Sequence, residues 1–207
     1  MAPPVRLHGH RVLVKVLRPG SAAHRARAVV RQALEAAGVD AEQASDAEIA
    51  VAELAANAET HAREPYELRI ISMAGAPAWC EVVDGDMDLI DVLAILSELR
   101  SGEPTALWFR EAGDGLVDES EHGFRESGRG LLMVHQLSGG RCAAYPTRTF
   151  TTGIPGKAVG FALPAKDDPR RLDFPPPVPD LREITEVPRQ VGIGIGSHSS
   201  VPTLTGR

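Results

Sequence analysis

A chain of 207 residues, 43% of them hydrophobic, carries enough apolar material for one proper core plus extra segments, or for at most two small domains. A net charge of −6 and a pI of about 5.6 argue against a footprint on a nucleic-acid backbone, since such domains carry a basic face, and favour a protein partner. No apolar run is long enough to span a membrane, and the opening MAPPVRLHGHRVLVKV lacks the basic stretch, apolar stretch and cleavage site of a secretory leader, so a cytoplasmic location is expected.

Residues 1–10 read as a flexible N-terminus, and the His8-Gly9-His10 triplet within it receives no role. Arg11 to Leu17 alternates apolar and polar residues as a strand does, and Pro19-Gly20 ends it. Ser21 is then a candidate N-cap for an amphipathic helix from Ala22 to Ala37, which Gly38 stops. His24 on this helix is followed by Arg25 rather than by an acidic neighbour, which favours a surface histidine over a phosphoacceptor. Asp40 with Gln43 forms a capping box for a second helix that ends near Arg63, ahead of Pro65.

That second helix holds the segment DAEIAVAELAANAETHA, Asp46 to Ala62. Helical spacing places Glu53, Asn57 and His61 in one polar stripe on a surface otherwise made of Ala, Leu, Ile and Val. A carboxylate and an amide one turn apart suit a site in which the first draws a proton from a nucleophile and the second helps to hold Mg²⁺, a hard cation that prefers oxygen ligands. The same stripe is equally what the solvated face of an amphipathic helix looks like.

Tyr66 to Ser72 and Ala78 to Val83 are β-rich runs separated by Ala74-Gly75-Ala76-Pro77, which predicts an antiparallel hairpin. Its second strand runs into Asp84-Gly85-Asp86, where an acidic side chain can reach a ligand while the glycine keeps the backbone close. DG is also an ordinary turn signal. From Met87 to Ser127 a helix is expected around Leu89 to Leu99, followed by a polar stretch whose length points to a lid or to disorder, with Trp108 and Phe109 as its apolar anchor.

Ser127-Gly128-Arg129-Gly130-Leu131 places glycines at the expected opening of another helix, where exposed N–H groups, the helix dipole and Arg129 would favour a phosphate. Two further strands are predicted at Gly140 to Tyr145 and Lys157 to Leu163, joined by a loop through Gly153, Pro155 and Gly156. Cys80 and Cys142 lie in apolar runs without a metal-binding spacing and read as buried reduced thiols. Residues 164–207 contain 8 of the 16 prolines and 4 of the 20 glycines, the composition of a disordered tail. Within the tail, Gly192-Ile193-Gly194-Ile195-Gly196 lacks the strand and helix of a dinucleotide site, and Pro175 to Pro179 reads as a stiff linker.

The order of ExxxNAxxHA helix, DGD strand, long lid, SGRGL helix and GKAV strand resembles the ATP-binding domain of the gyrase and histidine-kinase superfamily, the Bergerat fold. Within it the chain is most similar to the bacterial anti-sigma-factor serine/threonine kinases, especially the actinobacterial ATP-binding regulators. The resemblance covers residues 11–163 and leaves 164–207 outside. It implies an α/β (α+β) two-layer sandwich, a mixed, mainly antiparallel sheet covered by helices on one face, with ATP held under a lid. It further implies Glu53 as general base, Asn57 as the Mg²⁺ ligand, and Asp84 with Gly85 at the adenine. Gly128, Arg129 and Gly130, leading into Leu131, correspond to the glycine box at the phosphates. The second box usually reads Asp-x-Gly-x-Gly, and here Asp86 and Asp88 stand in place of the glycines.

The function so implied is an ATP- and Mg²⁺-dependent serine/threonine protein kinase that acts on an anti-anti-sigma partner of the STAS type and otherwise binds a sigma factor, with homodimerisation left open. Two alternatives stand beside it. One is a nucleotide-binding partner-switch module with little catalysis, and the other a detached histidine-kinase ATPase domain.

Overall fold

The computed structural model describes residues 11–101 and 122–165, of which 122–128 by backbone alone. The expected flexible N-terminus, the lid with Trp108 and Phe109, and nearly all of the Pro/Gly-rich tail lie outside these residues. In chain order the elements are β1 (Arg11–Leu17), α1 (Ala22–Ala36), α2 (Ala41–His61), β2 (Tyr66–Met73), β3 (Ala76–Asp84), α3 (Ile90–Ser101), α4 (His122–Leu137), β4 (Cys142–Arg148) and β5 (Pro155–Ala162). None of the described helices is long and apolar enough to cross a membrane.

The five strands form one sheet in the order β1-β2-β3-β5-β4, and every pairing is antiparallel. With helices packed on it this is the expected α+β sandwich. Side chains alternate across a strand, so Leu68 and Ile70 of β2, Cys80 and Val82 of β3, and Phe161 of β5 face the core shared with α1 and α2. α1 contributes Ala22, Ala26, Val30 and Leu34, all fully buried and spaced by four residues. α2 contributes mainly alanines, whose small side chains let it lie close to its neighbours, and Arg31 of α1 clasps Glu48 of α2 through two hydrogen bonds. The caps differ from expectation in detail. Ser21 turns its hydroxyl back to the Arg18 carbonyl instead of capping α1, while Asp40 does cap α2 by accepting from the Glu42 N–H.

The β2–β3 connection is tighter than the four-residue turn expected. Ala74 and Gly75 alone make it, with φ values of 51° and 89°, the two positive angles that match the twist of a hairpin. Pro146 and Pro155 also prove to be strand residues, which lengthens β4 and β5 beyond the expected bounds. β4 is an edge strand, and an edge tolerates a residue without an N–H.

The sheet's other face carries a second, smaller apolar cluster of Val12, Ile71, Trp79, Ala143 and Ala162. Beside it lies a buried charge network on β2, β3 and the β4–β5 turn. Arg69, 1% exposed, donates to Glu67 at 3.0 Å and to Glu81 at 3.3 Å, and its guanidinium lies 4.2 Å from the centre of the Phe150 ring. Glu67 also accepts from the Phe150 N–H at 2.9 Å and from the Thr151 N–H at 2.8 Å, while Glu81 accepts from Trp79 Nε1 at 3.0 Å and from the Tyr145 hydroxyl. Burial pushes the Glu67 carboxyl upward, but the Thr151 hydroxyl, these N–H groups and Arg69 together hold it below its ordinary value. Cys80 and Cys142 are free buried thiols, as the sequence led us to expect.

Candidate functional site

A cavity of about 370 Å³ opens between α2, the sheet, α3 and the C-terminal half of α4. Its floor consists of two cross-strand pairs. Val82 stands opposite Val159, and two residues along the same strands Asp84 stands opposite Lys157. Alternation turns all four side chains toward the helices, so the sheet presents two apolar residues followed by one charge pair. α2 supplies Asn57, Ala58 and His61 to one wall, and α3 supplies Asp91, Val92 and Ile95 to another. Leu131 closes the side formed by α4.

Of the residues singled out in the sequence, Asn57, Asp84 and Leu131 therefore meet in one cavity. Glu53 lies one turn back along α2, half-buried, and does not line it. Gly130 explains how α4 reaches this part of α2: a Cβ on it would come within 2.9 Å of Asn57 Nδ2 and 3.1 Å of Glu53 Oε2. A glycine is what allows the two helices to approach there. His61 is exposed at the cavity's edge.

The expectation that Gly128 and Gly130 open a helix is corrected. α4 begins at His122, and both glycines lie inside it, with Arg129 exposed on its surface. A glycine in a helix interior costs only about 1 kcal/mol relative to alanine, an amount that packing of α4 against α2 offsets. No proline in residues 122–127 stops the helix earlier, and so the glycine pair marked a close approach and not a start.

Asp84, 3% exposed, is held on one oxygen only. Its Oδ1 accepts from the Asp86 N–H at 2.9 Å and from Lys157 Nζ at 3.0 Å, and among the described residues Oδ2 accepts nothing. Burial raises the Asp84 carboxyl above its ordinary range, against the opposing pull of that N–H and of the Lys157 ammonium. Gly85 fits beneath the end of α2: its N–H donates to the Arg63 carbonyl at 2.8 Å, and a Cβ on it would lie 2.5 Å from the Glu64 carbonyl oxygen.

The aspartates that replace glycines in this segment have a structural use. Asp84 accepts from the Asp86 N–H, Asp86 from the Asp88 N–H at 3.2 Å, and Asp88 from the Ile90 N–H at 3.0 Å. Three successive side-chain-to-backbone turns thus carry the chain from β3 to the first residue of α3. Asp86, Asp88 and Asp91 line the cavity as well, and Asp86 Oδ2 stands 3.9 Å from Lys157 Nζ.

Lys157 is the site residue that reading the sequence left without a role. One signal for it was present: in GKAV it is the charged member of an otherwise apolar, helix-facing series that includes Val159 and Phe161.

Residues 17–139 match the family described as histidine kinase-like ATPase domain, a span that includes Glu53, Asn57, Asp84 and Leu131 but stops before β4 and β5. No curated protein matches the chain.

Proposed function

We propose, on the premise that this chain belongs to the histidine kinase-like ATPase domain family, that it is an ATP-dependent serine/threonine protein kinase of the anti-sigma kind. ATP binding goes with the family. The finer reading, phosphotransfer to a STAS-type anti-anti-sigma partner alternating with capture of a sigma factor, is supported by the motif order over residues 11–163. A homodimer is compatible with it.

The observation that carries the reading is the buried Asp84 carboxylate, whose Oδ2 is left for a donor at the floor of a cavity of about 370 Å³. That volume lies within the range of small-molecule sites, and Val82, Val159 and Leu131 give it the apolar lining that a purine requires. Asp84 takes the adenine amino group, with Gly85 keeping the backbone close. Asn57 offers an amide oxygen, the hard donor that Mg²⁺ accepts, and Mg²⁺ when bound would neutralise phosphate charge. Glu53, one turn from Asn57, takes the proton of the attacking hydroxyl. Gly128, Arg129, Gly130 and Leu131 form the wall beside the phosphates. There Gly130 provides room and Arg129 positive charge, since N–H groups within a helix are already engaged.

One observation favours the alternative of a partner-switch module that holds nucleotide without much chemistry: Glu53 stands outside the cavity lining. The deciding experiment is transfer of labelled γ-phosphate from Mg·ATP to a cognate anti-anti-sigma protein. Label on a serine or threonine of the partner supports the kinase. Tight nucleotide binding with no transfer would leave the binding module.

The acidic rim has its own consequence for affinity. Asp86 adds negative charge to the cavity that would receive the nucleotide, and two like charges about 4 Å apart in water repel by about 1 kcal/mol. Asp86→Gly is therefore expected to bind Mg-free ATP about fivefold more tightly, read by calorimetry. Equal or weaker binding would show that the turn made by Asp86 outweighs its charge.

A further inference from the structure

Lys157 lies on the cavity floor and is 7% exposed. Its position is fixed by the closeness of β5 to β3. A Cβ on the preceding Gly156 would lie 1.8 Å from the Asp84 carbonyl oxygen, so these strand ends meet only because residue 156 is glycine. From there the ammonium reaches Asp84 Oδ1 at 3.0 Å. An ammonium has three N–H donors, and this contact uses one of them. The floor therefore offers a carboxylate oxygen, Asp84 Oδ2, that accepts nothing among the described residues, next to Lys157 donors that Asp84 does not take, with Asp86 Oδ2 3.9 Å from the same ammonium.

A 6-aminopurine presents the complementary pair on one edge, the exocyclic amino donor beside the N1 acceptor. We propose that Lys157 is a specificity-determining residue that donates to N1 of the purine while Asp84 accepts from its amino group, so that the base is read at two adjacent positions. The inference rests on the ATP reading above and adds the second contact to it. A 6-oxopurine carries an acceptor where Asp84 accepts and a donor where Lys157 donates, and it mismatches the pair twice. A site built around buried polar groups rejects such an analogue because those groups are left unpaired.

The test is calorimetric titration of the full chain with ADP, with 1-deaza-ADP, in which a C–H replaces N1, and with IDP, for wild type, Lys157→Met and Lys157→Thr. On wild type, 1-deaza-ADP is expected to bind about ten- to a hundredfold more weakly than ADP, the usual range for a hydrogen bond to a charged group. On either variant the two should bind within about twofold, while IDP remains weak because Asp84 still faces its O6. Equal binding of ADP and 1-deaza-ADP by wild type would overturn the role of Lys157 and leave the ATP site standing, and this comparison needs no variant to fold. A penalty for 1-deaza-ADP that persists in both variants would also overturn it, by placing the N1 contact elsewhere. Failure of all three nucleotides to bind would overturn the inference together with the ATP reading.

Discussion

Replacing Glu53 with glutamine or alanine is expected to lower phosphotransfer to the partner protein by 10²–10⁴-fold while leaving the affinity for ATP within about a factor of two of wild type. A general base acts on the attacking hydroxyl, and its loss raises the barrier by roughly 3–5 kcal/mol without touching the bound nucleotide. The geometry suits this separation. Asp84 and Asn57 line the cavity and Glu53 lies one helical turn outside it, so a change at Glu53 leaves the cavity lining intact. Asn57→Ala should by contrast lose both binding and transfer, because it removes the cavity-lining amide proposed to hold Mg²⁺. Glu53→Gln preserves the shape packed beneath Gly130 and guards against a structural explanation. Equal transfer by wild type and Glu53→Gln would remove the base from the account and leave a binding module.

The second large effect concerns stability. Arg69→Met should destabilise the fold by about 3–5 kcal/mol, the usual result of removing one partner from a buried ion pair, because Glu67 and Glu81 would then share a dry interior without a cation. The pH dependence should weaken along with it. In wild type the Glu67 carboxyl is held below its ordinary value, so its contribution is present above the unfolded carboxyl pKa of about 4.3 and is lost as pH falls through the lower folded value. In the variant the Thr151 hydroxyl and the two N–H groups still hold Glu67 down while the pull of Arg69 is gone, so this acid-labile contribution shrinks and the gap between the two proteins narrows as pH falls through the folded values. Urea midpoints at pH 7 and pH 3 would decide the matter. A gap between wild type and variant that widens toward pH 3 would contradict the assignment of Arg69 as the counter-ion of this network.

Much of the architecture could be read from the sequence because its signals were local. The helical spacing of Ala22, Ala26, Val30 and Leu34, the alternation in β1 and the β-rich run of β2 each fix an element within a few residues. The errors fell where a neighbour overrides local preference. Pro146 and Pro155 looked like breakers, but Pro146 lies on the edge strand β4 and Pro155 is the first residue of β5, two positions that tolerate a missing N–H. Gly128 and Gly130 looked like a helix opening, but packing against α2 supports a helix through them. The stripe of Glu53 and Asn57 was visible because both lie on one helix. The pairing of Asp84 with Lys157 was not, since it joins residues 73 positions apart through strand register, which no short window contains. The aspartates that replace the expected glycines were legible as a departure, whereas their role in bonding the turn needed coordinates.

The central claim, a nucleotide held over Asp84 between α2 and the sheet, is tested most directly by the thermal stability of the full chain with and without Mg·ATP or ADP, for wild type and Asp84→Asn. Nucleotide at a hundredfold excess over Kd should stabilise wild type by about 2.7 kcal/mol. Asp84→Asn, whose amide can present a donor where an acceptor is needed, should show a much smaller shift at the same concentration. Absence of any shift for wild type at millimolar nucleotide, or an equal shift for Asp84→Asn, would contradict the account.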